Sequence, residues 1–186
     1  MTAKRLSEHN PCNNLGDRLL TGVAGTVFKL GAIKVFIAAE DHPPPHVHAF
    51  HQGEGWTARF RFSFLSDVTG LYRFNRRGRR PSDATLESVA DAVMDHLSAC
   101  RKAWWQTHGV RNGIGLVNRS VETLILPISA QGDKVRAKVA LVPGAASVSV
   151  VSAAYNSGTG KVTLALADGR TLLLTAGQHI EEAPEW

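Results

Sequence analysis

The chain has 186 residues with 21 Lys+Arg against 16 Asp+Glu, a formal charge of +5 before its eight histidines are counted. At 44% hydrophobic and 20% charged residues it can build a core and is no disordered polyelectrolyte. Its apolar runs stop far short of the ~20 residues a membrane helix needs, no secretion signal opens it, and Cys12 and Cys100 make neither a disulfide framework nor a cysteine metal knuckle. A basic cytoplasmic protein with no membrane contact is the expectation.

In chain order, residues 1–25 are polar and glycine-bearing and read as an N-terminal arm. From Thr26 to Ala39 the apolar Val27, Leu30, Ile33, Val35 and Ile37 predict a strand or two joined at Gly31. Pro43-Pro44-Pro45 ends it, since proline fixes φ and offers no N–H. The segment His46–His51, a turn at residues 52–55 and Trp56–Phe64 predict a hairpin. In its second strand Trp56, Ala58, Phe60, Phe62 and Phe64 share one face, while Thr57, Arg59, Arg61 and Ser63 share the other, which should be exposed. Ser82 and Asp83 suit a helix start, and Leu86, Val89, Val93, Leu97, Cys100 and Trp104 form one apolar stripe on a single helix reaching about His108. After a Gly- and Asn-rich stretch the period changes to two. Residues 121–129, 135–142, 147–154, 161–167 and 170–175 predict strands, with Asp168-Gly169 supplying a tight hairpin turn.

The predicted class is therefore α+β: a small antiparallel sheet with one long helix, followed by a small β-rich domain. The expected division is an arm (1–25), an α+β domain rich in His and Pro (26–108), a linker (109–120) and a β-rich domain (121–186). Apolar edge strands in the last would suit a homodimer, although the same pattern fits a monomer.

Two constellations carry chemistry. Four histidines, His42, His46, His48 and His51, fall within ten residues. On a strand His46 and His48 point the same way about 6–7 Å apart, a spacing that suits one metal ion or an acid/base pair, with Glu40, Asp41 or His42 beyond the prolines. Glu40, His42, His46 and His48 are the catalytic candidates of a nuclease. His46, His48 and His51 are the metal candidates, but only two ligands are geometrically assured where zinc takes three or four, so no cofactor is expected. The second constellation is Arg73, Arg76, Arg77, Arg79 and Arg80, extended by Arg59 and Arg61. Guanidiniums at this density suit phosphates, hence nucleic acid, or an acidic protein or ribonucleoprotein complex. Trp105, about 100° from the stripe residue Trp104, is an interface candidate or a cover for the arm.

The stretch Lys34–Ala49, with Glu40-Asp41-His42-Pro43-Pro44-Pro45-His46-Val47-His48 at its centre, followed by Ala58-Arg59-Phe60 and a helix ending in Trp104, resembles the bacterial family called domain of unknown function 4160 over about residues 26–108. Residues 155–170 are similar to domain of unknown function 2442. The resemblance implies a two-domain component of a bacterial or phage conflict system of the toxin–antitoxin kind, with Glu40, His42, His46 and His48 as signature positions. It implies no catalytic assignment. The chain departs from the family pattern in an added proline, the extra His51 and the Arg-rich insertion before the helix.

Overall fold

A computed structural model describes residues 23–67, 69–74, 80–125, 135–140, 144–178 and 180–181. Most of the arm and three of the clustered arginines, Arg76, Arg77 and Arg79, lie outside the described residues.

The class is α+β. Strands β1 (Val23–Leu30), β2 (Ile33–Ala38), β3 (His46–His51), β4 (Trp56–Phe62) and β5 (Thr69–Phe74) form one antiparallel sheet in sequence order. The predicted hairpin is β3–β4, turning at a Gly55 with φ of 68° that a side chain would strain. β5 has no counterpart in the sequence reading, because Gly70 and the following arginines mask its alternation; it places Arg73 on a strand. Helices α1 (Asp83–Asp95) and α2 (Leu97–Asn112) follow. Then come β6 (Ser120–Ile125), β7 (Val135–Ala140), β8 (Val148–Asn156), β9 (Lys161–Leu166), β10 (Thr171–Thr175) and β11 (Ile180–Glu181), in a second sheet of order β10-β9-β8-β6-β7-β11. β11 joins β7 in parallel and every other pairing is antiparallel.

Where the stripe predicts one long helix, the chain makes two. Ser82 caps α1 by accepting the Thr85 N–H, and His96 closes it with φ −108° and ψ 18°. His96 Nδ1–H donates to Ala92 O, its ring stacks on Phe28 with centroids 4.3 Å apart, and its own carbonyl accepts from Cys100 N to start α2. The stripe survives the break, because Leu86, Val89, Val93, Leu97, Cys100 and Trp104 are all buried. Each of the buried Leu and Val side chains contributes about 1.5–3 kcal/mol relative to exposure.

These residues join Val35, Ile37, Val47, Ala49, Ala58 and Phe60 of the first sheet in one apolar cluster, which continues through Phe64 and Leu65 into Tyr155, Val162, Leu164 and Leu174 of the second. Phe64 meets Tyr155 edge-on at 4.9 Å. Residues 109–112 form the last turn of α2, and the following turn buries Ile114 and Leu116. Gly115 there has φ of 75°, and a Cβ on it would lie 2.9 Å from Pro45 Cδ, so the proline run and this turn touch.

Cys100 is fully buried, and burial pushes its thiol up to about 12, outweighing the neighbouring Arg101 charge. With Cys12 replaced by serine, a thiol reagent at pH 8 should leave the folded protein unlabelled and modify Cys100 only in denaturant. Native labelling at the rate of a free thiol would place Cys100 outside the core. No helix among the described residues is long and apolar enough to cross a membrane.

Candidate functional site

The proline run delivers β3 so that His46 and His48 emerge on one side of the sheet, and the Ala38–Asp41 turn brings a carboxylate back to them. Asp41 Oδ1 lies 2.8 Å from His48 Nε2 and 3.2 Å from His46 Nε2, while its Oδ2 accepts Ala38 N–H at 2.9 Å. His46 is 0%, His48 2% and Asp41 7% exposed, so the cluster is sealed from water. Burial pushes the Asp41 carboxyl up, but the hydrogen bonds and charges of His46 and His48 outweigh it and hold the group well below the usual carboxylate range.

A carbonyl can only accept, so a ring nitrogen that faces one carries a proton. His46 Nδ1–H donates to Pro44 O at 2.8 Å, and the exposed His42 repeats the device, donating Nδ1–H to Pro43 O at 2.8 Å. His48 stacks on the buried Phe36, centroids 5.2 Å apart, and its Nδ1 meets no hydrogen-bond partner among the described residues. The rings of His46 and His48 are 5.2 Å apart, and that of His46 is 5.8 Å from Trp104.

Behind the cluster the end of α2 holds the turn. His108 Nε2–H donates to Ala38 O at 2.8 Å, and Asn112 Nδ2–H donates to Asp41 O at 2.7 Å and lies 3.4 Å from His108 Nδ1. Trp104 Nε1–H donates to Gly113 O at 3.0 Å.

The structure thus brings His46 and His48 together with Asp41. It leaves Glu40 exposed, and it places His51 at the end of β3, where Nδ1 accepts Glu54 N–H and the ring lies 5.7 Å from Trp56. The supporting His108 and Asn112 have no signal in the sequence, lying some 70 residues from the turn they hold. Trp105 is half-buried, with its ring 6.5 Å from Tyr155 of β8.

The basic residues of the first sheet take one face. Register sets Lys29 opposite Lys34, His48 opposite Phe36 and Arg59, His46 opposite Arg61, and Arg59 opposite Arg73. Directly opposed residues share a face, so Lys29, Lys34, Arg59, Arg61 and Arg73 lie on the side of the two histidines. β1 to β5 contain no Asp or Glu. This face is less open than alternation alone predicts: Thr57 is buried, and so is Ser63 just beyond the strand, while Arg59 and Arg61 are half-buried. Arg73 is exposed, as is Arg80, which pairs weakly with Asp83 at 3.4 Å.

Fold and site together define an α+β protein with a buried carboxylate–imidazole cluster beneath a cationic sheet face. No family model matches the chain, and no curated protein or solved structure matches it.

Proposed function

We propose that the protein is a non-catalytic binding protein whose ligand is a phosphate-rich polyanion, nucleic acid, held on the cationic face of the first sheet. The observation that carries this reading is the pairing of like charges, Arg59 against Arg73 and Lys29 against Lys34, on a sheet whose strands hold no carboxylate. Opposed like charges destabilise a sheet by roughly 0.2–1 kcal/mol, a cost that a bound anion reverses. Guanidiniums two strands wide also suit bidentate contacts to successive phosphates. Arg80, and Arg76, Arg77 and Arg79 from the same run of sequence, would extend the face.

A nuclease working through His46 and His48 is the weaker reading, because both rings are sealed from the solvent that hydrolysis requires. In the conflict-system setting that the family resemblance implies, the chain would be the binding component and another protein the cleaving one.

Binding of labelled single- and double-stranded DNA and RNA, followed by anisotropy against salt, tests the reading. Micromolar affinity at ~50 mM salt is expected, falling with a log–log slope of about −3 to −5 as several counterions are released. Arg59→Gln with Arg73→Gln should weaken binding at least tenfold and reduce the slope by about 1.5 to 2, with circular dichroism confirming the fold. No binding of any of the four at ~50 mM salt, where electrostatic contacts are strongest, would remove the proposal's basis. Binding confined to an acidic protein would assign the face to a protein partner instead.

A further inference from the structure

We propose that Asp41, His46 and His48 form a binding site for one divalent first-row transition ion, of the zinc or cobalt type, independent of polyanion binding. Three observations on different atoms converge on it.

The first is spacing. Two imidazole nitrogens and one carboxylate oxygen lie within 4.8 Å of one another, and the two separations to Asp41 Oδ1 are 2.8 and 3.2 Å. Ligands held about 2.1 Å from a common ion stand about 3.0–3.4 Å apart in octahedral or tetrahedral geometry. The third separation, between the two imidazole nitrogens, falls within the same 4.8 Å, against the ~3.4 Å of a tetrahedral site.

The second is ring orientation. His46 Nδ1–H donates to Pro44 O, so Nε2 is the ring atom aimed at Asp41 Oδ1. Either a proton on Nε2 or a cation can occupy the 3.2 Å between the two atoms. An ion would take the place of that proton and also of the hydrogen bond between His48 Nε2 and Asp41 Oδ1, leaving the His48 proton on Nδ1, which has no hydrogen-bond partner among the described residues.

The third is the supporting layer. A ligating histidine typically donates its second ring N–H to a fixed acceptor, and a ligating carboxylate is itself hydrogen-bonded. Pro44 O plays the first part for His46, and Ala38 N–H plays the second for Asp41 Oδ2. Asn112 and His108 then clamp the turn from which Asp41 projects. Two imidazoles and one carboxylate suit zinc, cobalt, nickel or iron better than magnesium or calcium, which prefer all-oxygen sets. Three protein ligands leave a further position, for which the exposed His42 is a candidate, its ring 5.8 Å from that of His46 and its Nδ1–H likewise committed to a proline carbonyl.

The test uses the full chain, purified without a histidine tag and stripped with chelator. Zinc is titrated by calorimetry and cobalt(II) by its visible d–d absorption. One ion per chain is expected, with the intense absorption of a low-coordinate nitrogen/oxygen cobalt site. His51→Gln, whose ring sits at the hairpin turn, should bind like the parent. Asp41→Asn and His48→Gln should each weaken binding by more than the tenfold to hundredfold typical of outer-shell changes, and His42→Gln by less. A folded parent protein that takes up neither ion at millimolar concentration overturns the proposal, as does unchanged affinity in folded His48→Gln. Should the ligand variants unfold, the stoichiometry and spectrum of the parent protein decide alone: a weak, octahedral aquo-type cobalt spectrum or several loose sites overturns it. Polyanion binding is measured separately, so either reading can fail without the other.

Discussion

Replacing Asp41 with alanine is expected to destabilise the metal-free protein by about 3–5 kcal/mol, the range for removing one partner from a buried charged network. One carboxylate serves three groups: Ala38 N–H at Oδ2, and the Nε2 atoms of His48 and His46 at Oδ1. All three belong to residues that are buried or half-buried, so water cannot take over from the carboxylate without opening the turn against α2. Each stranded polar group costs about 1–3 kcal/mol. Against a typical total stability of about 5–15 kcal/mol the loss is large, and urea unfolding should show it as a midpoint shift at unchanged m-value. Asp41→Asn keeps the size of the side chain and one accepting oxygen, so its loss should be roughly half. Asp41→Ala within about 1 kcal/mol of the parent would mean that the cluster contributes little to the fold.

The sequence makes the outline of this cluster legible and hides its centre. Alternation is a local property, so the β3–β4 hairpin and the shared side of His46 and His48 follow from parity alone. Parity also separates His51, an odd number of residues from both, from the other two; clustering in sequence suggests it as a ligand, while pleating removes it. Asp41 belongs to the set of residues flanking the prolines, but its selection over Glu40 depends on a turn whose direction is set by His108 and Asn112 from the far end of a helix. No local pattern encodes a contact of that span. The break at His96 is invisible for a different reason: the apolar stripe keeps phase through it, since His96 ends one helix and its carbonyl begins the next. The half-burial of Arg59 and Arg61 escapes the usual assumption that the polar side of an antiparallel strand faces water, because here that side also carries Phe36 and the histidine cluster.

Arg101 carries the second large effect, and the sequence offers no hint of it because arginine is ordinarily exposed. In α2 it is 5% exposed, with Nε–H donating to Ser63 O at 2.8 Å and Nη2–H to Ser66 O at 3.0 Å and to the Asp67 carboxylate at 2.9 Å. The residues it holds form the junction with the second sheet. Ser66 bridges Gln178, and Asp67 abuts Gly177, where φ is 83° and an added Cβ would fall within 2.7 Å of the Asp67 carboxyl carbon. Arg101→Met preserves the aliphatic stem but strands the carbonyls of Ser63 and Ser66, both buried residues, at about 1–3 kcal/mol each. The Asp67 ion pair adds little, since that carboxylate is 59% exposed. A total loss of about 3–5 kcal/mol is expected, with faster amide exchange concentrated in residues 63–67 and 176–178 before global unfolding. Arg101→Lys should recover only a minor part, because a single ammonium cannot reach three acceptors spread along the segment as a planar guanidinium does. Stability in Arg101→Met within about 1 kcal/mol of the parent, or exchange unchanged at the junction, would show that apolar contacts such as Phe64 with Tyr155 hold the two sheets together without it.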